Sequence, residues 1–111
     1  MIQVRLKRNQ NHEIMAFTVS GHANSAPHGE DLVCAGVSAI TFGTINAIYA
    51  LVTKDIIVKQ KDSGFISCKL PMNLSNEGFQ KVQLLLESMI IMLKQMEQTN
   101  ERQYIEFIDE V

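Results

Sequence analysis

Leu32-Val33-Cys34-Ala35-Gly36-Val37-Ser38-Ala39-Ile40-Thr41-Phe42-Gly43-Thr44-Ile45-Asn46-Ala47-Ile48-Tyr49-Ala50-Leu51-Val52 is the longest weakly polar run in the chain. Its length suits a membrane span, which needs about 20 apolar residues. Ser38, Thr41, Thr44 and Asn46 interrupt it, however, and much of the rest is small, so it reads as a buried helix. Asp31 stands where an N-cap should stand, and roughly six turns follow, from Leu32 to about Thr53. Ala35, Gly36, Ser38, Ala39, Gly43, Ala47 and Ala50 make this helix thin. A thin helix lets backbones approach, so close packing against a sheet or a second subunit is expected.

The segments on either side supply the sheet. Ile2, Val4 and Leu6 alternate with Gln3, Arg5 and Lys7, the period of a strand with one wet face. Asn9-Gln10-Asn11-His12 is a turn by composition, and Ile14 to Val19 is a second strand, apolar on both faces. Residues 21–31 carry two glycines, one proline and almost no apolar bulk, the composition of a long functional loop. Beyond the helix, Ile56-Ile57-Val58 and Phe65-Ile66-Ser67-Cys68 flank the turn Lys61-Asp62-Ser63-Gly64, in which glycine is available for positive φ. Asn73 or Ser75 can cap a second helix, whose apolar residues Phe79, Val82, Leu85, Leu86, Met89, Ile90, Leu93 and Met96 keep the 3.6-residue period. Leu84, Ile91 and Met92 widen that stripe beyond what one sheet face needs, which suits a homodimer surface or deep burial. Tyr104, Ile105, Phe107 and Ile108 form a last strand. The expected fold is α+β, a ββαββαβ two-layer sandwich with two helices on a mostly antiparallel sheet.

Composition narrows the function. The chain has 111 residues, enough for one domain spanning 1–111 and too few for two cores. An apolar share of 46% and a charged share of 20% exclude a disordered tail, a collagen-like fibre and a disulfide scaffold. Ten basic against twelve acidic residues give a net charge of −2, so there is no dense basic surface for direct nucleic-acid binding. Two cysteines, Cys34 and Cys68, are too few to staple a secreted fold and point to a reducing cytoplasm. The alternating start is not a signal peptide. No membrane attachment is expected.

One region concentrates reactive side chains: His22, His28, Glu30, Asp31 and Cys34. With Asp31 as N-cap, Cys34 falls on the first helical turn, where unpaired amides and the positive end of the dipole favour a thiolate. Glu30 and Asp31 oppose that effect, and a nearby imidazole would settle it as general base or ion-pair cation. His22 directly follows a strand, and the loop up to Cys34 is long enough to bring the two together. The amides of Cys34 and Ala35 are a possible oxyanion hole. Two other readings stay open: Cys34 as a small buried hydrophobe, and a metal site built from His22, His28, Cys34 and Asp31 or Glu30. The metal set has no compact chelate spacing. Cys68, on a strand facing the core, is expected to be inert, and no cofactor motif is present.

Gly21-His22-Ala23 together with Asp31-Leu32-Val33-Cys34-Ala35-Gly36-Val37-Ser38-Ala39 resembles the ribosomal-processing cysteine protease family, Prp. The likeness continues through Phe42-Gly43 and Asn46-Ala47, and the element order fits the whole chain. The resemblance implies a cytoplasmic endopeptidase that removes the short N-terminal extension of a large-subunit ribosomal protein. It also implies a homodimer, a mobile loop acting as a lid, no metal or other cofactor, and an apolar pocket for bulky aromatic residues. Cys34 would be the nucleophile and His22 the general base, with Gly21, Asp31 and Ser38 as supporting residues. The sequence departs from many relatives at His28, where they carry an aromatic before Gly29. The reading that competes within this groove is a non-catalytic ribosome-assembly or peptide-binding module.

Overall fold

The computed structural model describes residues 1–21, 27–61, 64–98 and 103–111, with side chains in the first helix described from Leu32 onward. The elements are β1 (Ile2–Arg8), β2 (Ile14–Ser20), α1 (Pro27–Leu51), β3 (Ile57–Lys61), β4 (Phe65–Lys69), α2 (Asn76–Gln98) and β5 (Ile105–Glu110). They form one five-stranded sheet in the order β3-β4-β2-β1-β5. Every pairing is antiparallel except that of β1 with β5. The α+β architecture matches the expectation.

The alternation in β1 does what its period requires: Ile2, Val4 and Leu6 are buried and face the helices. In β2 the buried residues are Ile14, Phe17 and Val19, a pattern that period two alone cannot produce. The register explains it. Lys7 pairs with Ala16 and Arg8 with Ile14, so Met15 is an extra residue in β2. This bulge flips the parity and returns Ile14 to the inner face. The bulged backbone is held by α2, where the buried Gln83 amide accepts from the Ile14 N–H and donates to the Ile14 carbonyl, both at 2.7 Å. One side chain thus stands in for a missing strand partner.

The turn before β2 closes on Asn9, whose Oδ1 accepts from the amides of Asn11 and Glu13. At the other end of α2, the Glu97 carboxylate accepts from the amides of Tyr104 and Ile105, which delivers the chain into β5 beside β1. Ser75 caps α2, its hydroxyl accepting from the Gly78 amide at 3.0 Å. Of the two expected caps it is the one used.

The beginning of α1 differs from the sequence expectation. The helix starts at Pro27, not after an N-cap at Asp31. Proline suits the first helical position because its φ is already helical and the amide it lacks would have had no partner there. The helix therefore takes residues 27–31 out of the expected loop. Along α1, Val33, Val37, Thr41, Thr44, Ile45 and Ile48 are buried. The thinness is used in part by α2: a Cβ on Gly36 would meet the Met96 sulfur at 2.5 Å. Much of the small-residue face (Ala35, Ala39, Gly43 and Ala50) remains exposed.

Replacing Gln83 with Leu keeps the volume but leaves the Ile14 N–H and carbonyl buried without partners. A loss of roughly 3 kcal/mol is expected, at about 1–3 kcal/mol for each orphaned group. Urea denaturation monitored by circular dichroism measures it through the midpoint at unchanged slope.

Candidate active site

Cys34 is the eighth residue of α1 and is half-buried. It lies on the wall of a cleft of about 570 Å³ between α1 and one end of the sheet. The helix contributes Cys34, Val37, Ser38, Thr41 and Phe42, which share one face by their spacing of three and four. The sheet contributes strand ends that the topology brings to the same edge. Ile2 opens β1, Gly21 follows β2, Phe65 and Ile66 open β4, and Gln60 and Lys61 close β3.

Gly21 is the hinge of this arrangement. Its φ is +93°, its N–H donates to the Gly64 carbonyl at 2.9 Å, and a Cβ there would sit 2.6 Å from the Met1 carbonyl oxygen. Both the left-handed backbone and the close approach demand glycine. Gly64, also at positive φ (+89°), is the turn glycine expected from the sequence. Asp62 and Ser63 of that turn lie outside the described residues. At the rim, the Lys61 ammonium sits 5.1 Å from the Phe65 ring centroid, so the cleft mouth carries a cation held on an aromatic face.

The structure brings Cys34, Ser38 and Gly21 to one cleft. His22, the next residue after Gly21, lies outside the described residues, as does the loop through Ala26 that was expected to act as a lid. His28, Gly29, Glu30 and Asp31 belong to α1, but their side chains lie outside the described residues. The alternative metal set therefore falls largely outside them too.

The longer helix corrects the expected oxyanion hole. The amides of Cys34 and Ala35 sit two turns inside α1, within its hydrogen-bonded ladder, and cannot point at a substrate oxygen. The field of the helix N-terminus also fades within about one turn. The helix N-terminus therefore supplies neither thiolate stabilisation nor an anion site at Cys34.

Thr41 was not singled out as a site residue in the sequence. It is 1% exposed, and its Oγ1 has no hydrogen-bond partner, the one such buried side-chain oxygen or nitrogen among the described residues. The available signal was its position seven residues after Cys34, on the same helix face. Phe65 on the opposite wall follows from no local motif, because only the β2–β4 pairing, Ser20 with Phe65, places it there.

Comparison with known proteins adds the class. The family described as cysteine protease Prp matches residues 1–106. The ribosomal processing cysteine protease Prp of Bacillus subtilis (strain 168) is 42% identical over 98 residues, covering 87% of this chain and 88% of that one. The Prp of Staphylococcus aureus (strain NCTC 8325 / PS 47) is 32% identical over 98 residues, covering 88% and 90%. A crystal structure of the S. aureus protease with a covalently linked product peptide superposes with a TM-score of 0.80 at 29% identity, covering 99% of this chain and 100% of that one. Fold, cleft and relatives together define a cysteine peptidase, a hydrolase of peptide bonds. The chain belongs to the Prp family.

The two thiols are expected to separate chemically. Burial pushes the Cys68 thiol up to about 11, so it stays protonated and unreactive through pH 9. Iodoacetamide at pH 8 should add one group to the native protein, at Cys34, and a second only in denaturant, as read by mass spectrometry. Because the folded state holds the Cys68 proton more tightly than the unfolded chain, this contribution to stability is full below pH 9.0 and is lost as pH rises toward 11.

Proposed function

We propose that the chain is the endopeptidase that trims the short N-terminal extension from a large-subunit ribosomal protein, using Cys34 as nucleophile and His22 as general base. The observation that carries the reading is the shared cleft. Cys34 lines it from the helix, and Gly21, the residue before His22, lines it from the sheet. The relatives named above are ribosomal processing proteases, and one solved S. aureus structure holds a substrate peptide. It superposes with a TM-score of 0.79 at 28% identity.

The reaction follows from the groups present. His22 takes the Cys34 proton, and the sulfur attacks the scissile carbonyl to give a tetrahedral oxyanion. The C–N bond then breaks, the imidazolium protonates the departing amine, and water releases the acyl group by the reverse proton path. Apolar walls from Val19, Val37, Phe42, Phe65 and Ile66 suit a bulky aromatic residue before the cut. Ser38 stands one turn beyond Cys34 on the same helix face, and Asp31 precedes Cys34 by three residues in α1. With α1 starting at Pro27, Asp31 is its fifth residue and not its cap, and the family likeness gives it a supporting role. A ribosomal substrate supports a cytoplasmic location.

A homodimer completes the reading. Leu84 and Ile91 on α2 are 73% and 68% exposed. A shallow apolar groove of about 380 Å³ also runs between α1 and α2, lined by Ala39, Ile40, Gly43, Ala47, Leu85 and Met92 among others. A surface of this kind over two helices fits a second copy of the same surface.

A synthetic peptide spanning the extension and its junction is cleaved by the parent protein and not by Cys34→Ala or His22→Ala. The expected loss is roughly 10³-fold or more in kcat. A Cys34→Ala variant that cuts as well as the parent refutes the assignment. Light scattering after size exclusion gives twice the chain mass for the parent and the single mass for Ile91→Lys; a monomeric parent removes the dimer.

A further inference from the structure

The cleft contains a polar atom that the free protein leaves unused. A threonine inside a helix commonly offers its hydroxyl to the carbonyl four residues back. Thr44 does so, donating to the Ile40 carbonyl at 2.7 Å. Thr41, one turn earlier, does not: its hydroxyl is buried and unpartnered while the residue lines the cleft. Such a group has given up water and gained nothing in return, so the empty state is disfavoured by its presence. An occupant of the cleft that completes the bond removes that cost.

We propose that Thr41 is a specificity-determining residue whose hydroxyl donates to a carbonyl of the bound polypeptide, well away from the bond that is cut. The identity of the occupant rests on the protease reading; the need for an acceptor rests on the hydroxyl alone. Seven residues separate Thr41 from Cys34, which is two turns of helix and about 10 Å along its axis, with little rotation around it. In an extended peptide running along the cleft, that distance is about three residues. Ile2, Val19, Val37, Phe42 and Ile66 are apolar walls of the same cleft, which also carries Ser38, Gln60 and Lys61. A peptide carbonyl buried among them needs a donor, and Thr41 supplies one. The hydroxyl is covered in the empty cleft and reaches the occupant by rotation about χ1, between the two wells that threonine uses in a helix. Thr41 therefore fixes the register of the peptide against the sulfur without taking part in the chemistry.

The test turns on two readouts that move in opposite directions. Thr41→Val keeps the shape and deletes the hydroxyl. In the free protein this removes a buried orphan, so the melting temperature holds or rises. In the Cys34→Ala background, where the peptide is not consumed, calorimetric titration with the extension peptide should show about fivefold or weaker binding for Thr41→Val, the loss of one hydrogen bond. With Cys34 present, kcat/KM falls by a similar factor, carried mainly by KM, and Thr41→Ser restores it. Equal affinity with and without the hydroxyl overturns the proposal. So does a melting temperature that drops several degrees in Thr41→Val, because the hydroxyl would then have a structural partner. A parent that binds the peptide but does not cut it defeats the protease reading while the titration still judges Thr41. Absence of any binding by Cys34→Ala removes the occupant, and the proposal with it.

Discussion

The pinch at Gly21 governs the cleft. At this one residue the end of β2 touches the Met1 carbonyl and accepts no side chain, while its N–H is tied to the Gly64 carbonyl of the β3–β4 turn. Three segments remote in sequence are thereby fixed at one edge of the sheet. A Cβ here would collide with backbone, which cannot swing aside as the end of a flexible side chain can. The left-handed φ adds about 1–2 kcal/mol of strain for any other residue. Gly21 lines the cleft from this fixed point, and α1 sets Cys34 on the facing wall. Gly21 and Cys34 thus come from elements that are each held by the core, which is how a small domain keeps two walls of a cleft in register.

The start of α1 changes the source of reactivity. A cysteine on the first turn could lean on the helix field, but one two turns in cannot. A half-buried sulfur placed mid-helix depends on what faces it across the cleft. In the reaction proposed above, the base that faces it is His22.

What was legible in the sequence followed from periodicity and turn chemistry. The alternation of Ile2, Val4 and Leu6, the capping serine before α2 and the glycine at 64 each act locally, and each appears where expected. The bulge at Met15 was not legible, because an inserted residue is invisible until the partner strand fixes the register. Gln83 gave no signal either, since a glutamine on a helix is usually solvated and only the buried backbone N–H and carbonyl of Ile14 make it structural. The helix start was misplaced because Asp31 is a good cap by type, while Pro27, an equally good first residue, lies four positions earlier. For the site, Cys34, Ser38 and Gly21 line one cleft. Thr41 escaped notice because an unmet hydrogen bond is a property of three dimensions, with no trace in residue type.

The same helix explains why its sequence admits a membrane reading. Leu32–Leu51 reaches a mean hydropathy of 1.6 over a helix long enough to cross a bilayer. Its apolar character is divided among separate duties. Val33, Val37, Ile45 and Ile48 enter the core; Cys34, Thr41 and Phe42 wall the cleft; Ala39, Gly43 and Ala47 border the groove toward α2. A helix with three packed or packable sides has little surface left for charge, so it becomes uniformly apolar without lipid as the cause. Its hydroxyls and its asparagine sort accordingly: Ser38 opens on the cleft, Thr44 is spent on its own backbone, and Asn46 is exposed. Only Thr41 has its polar group buried and unspent, and that residue lies on the cleft side.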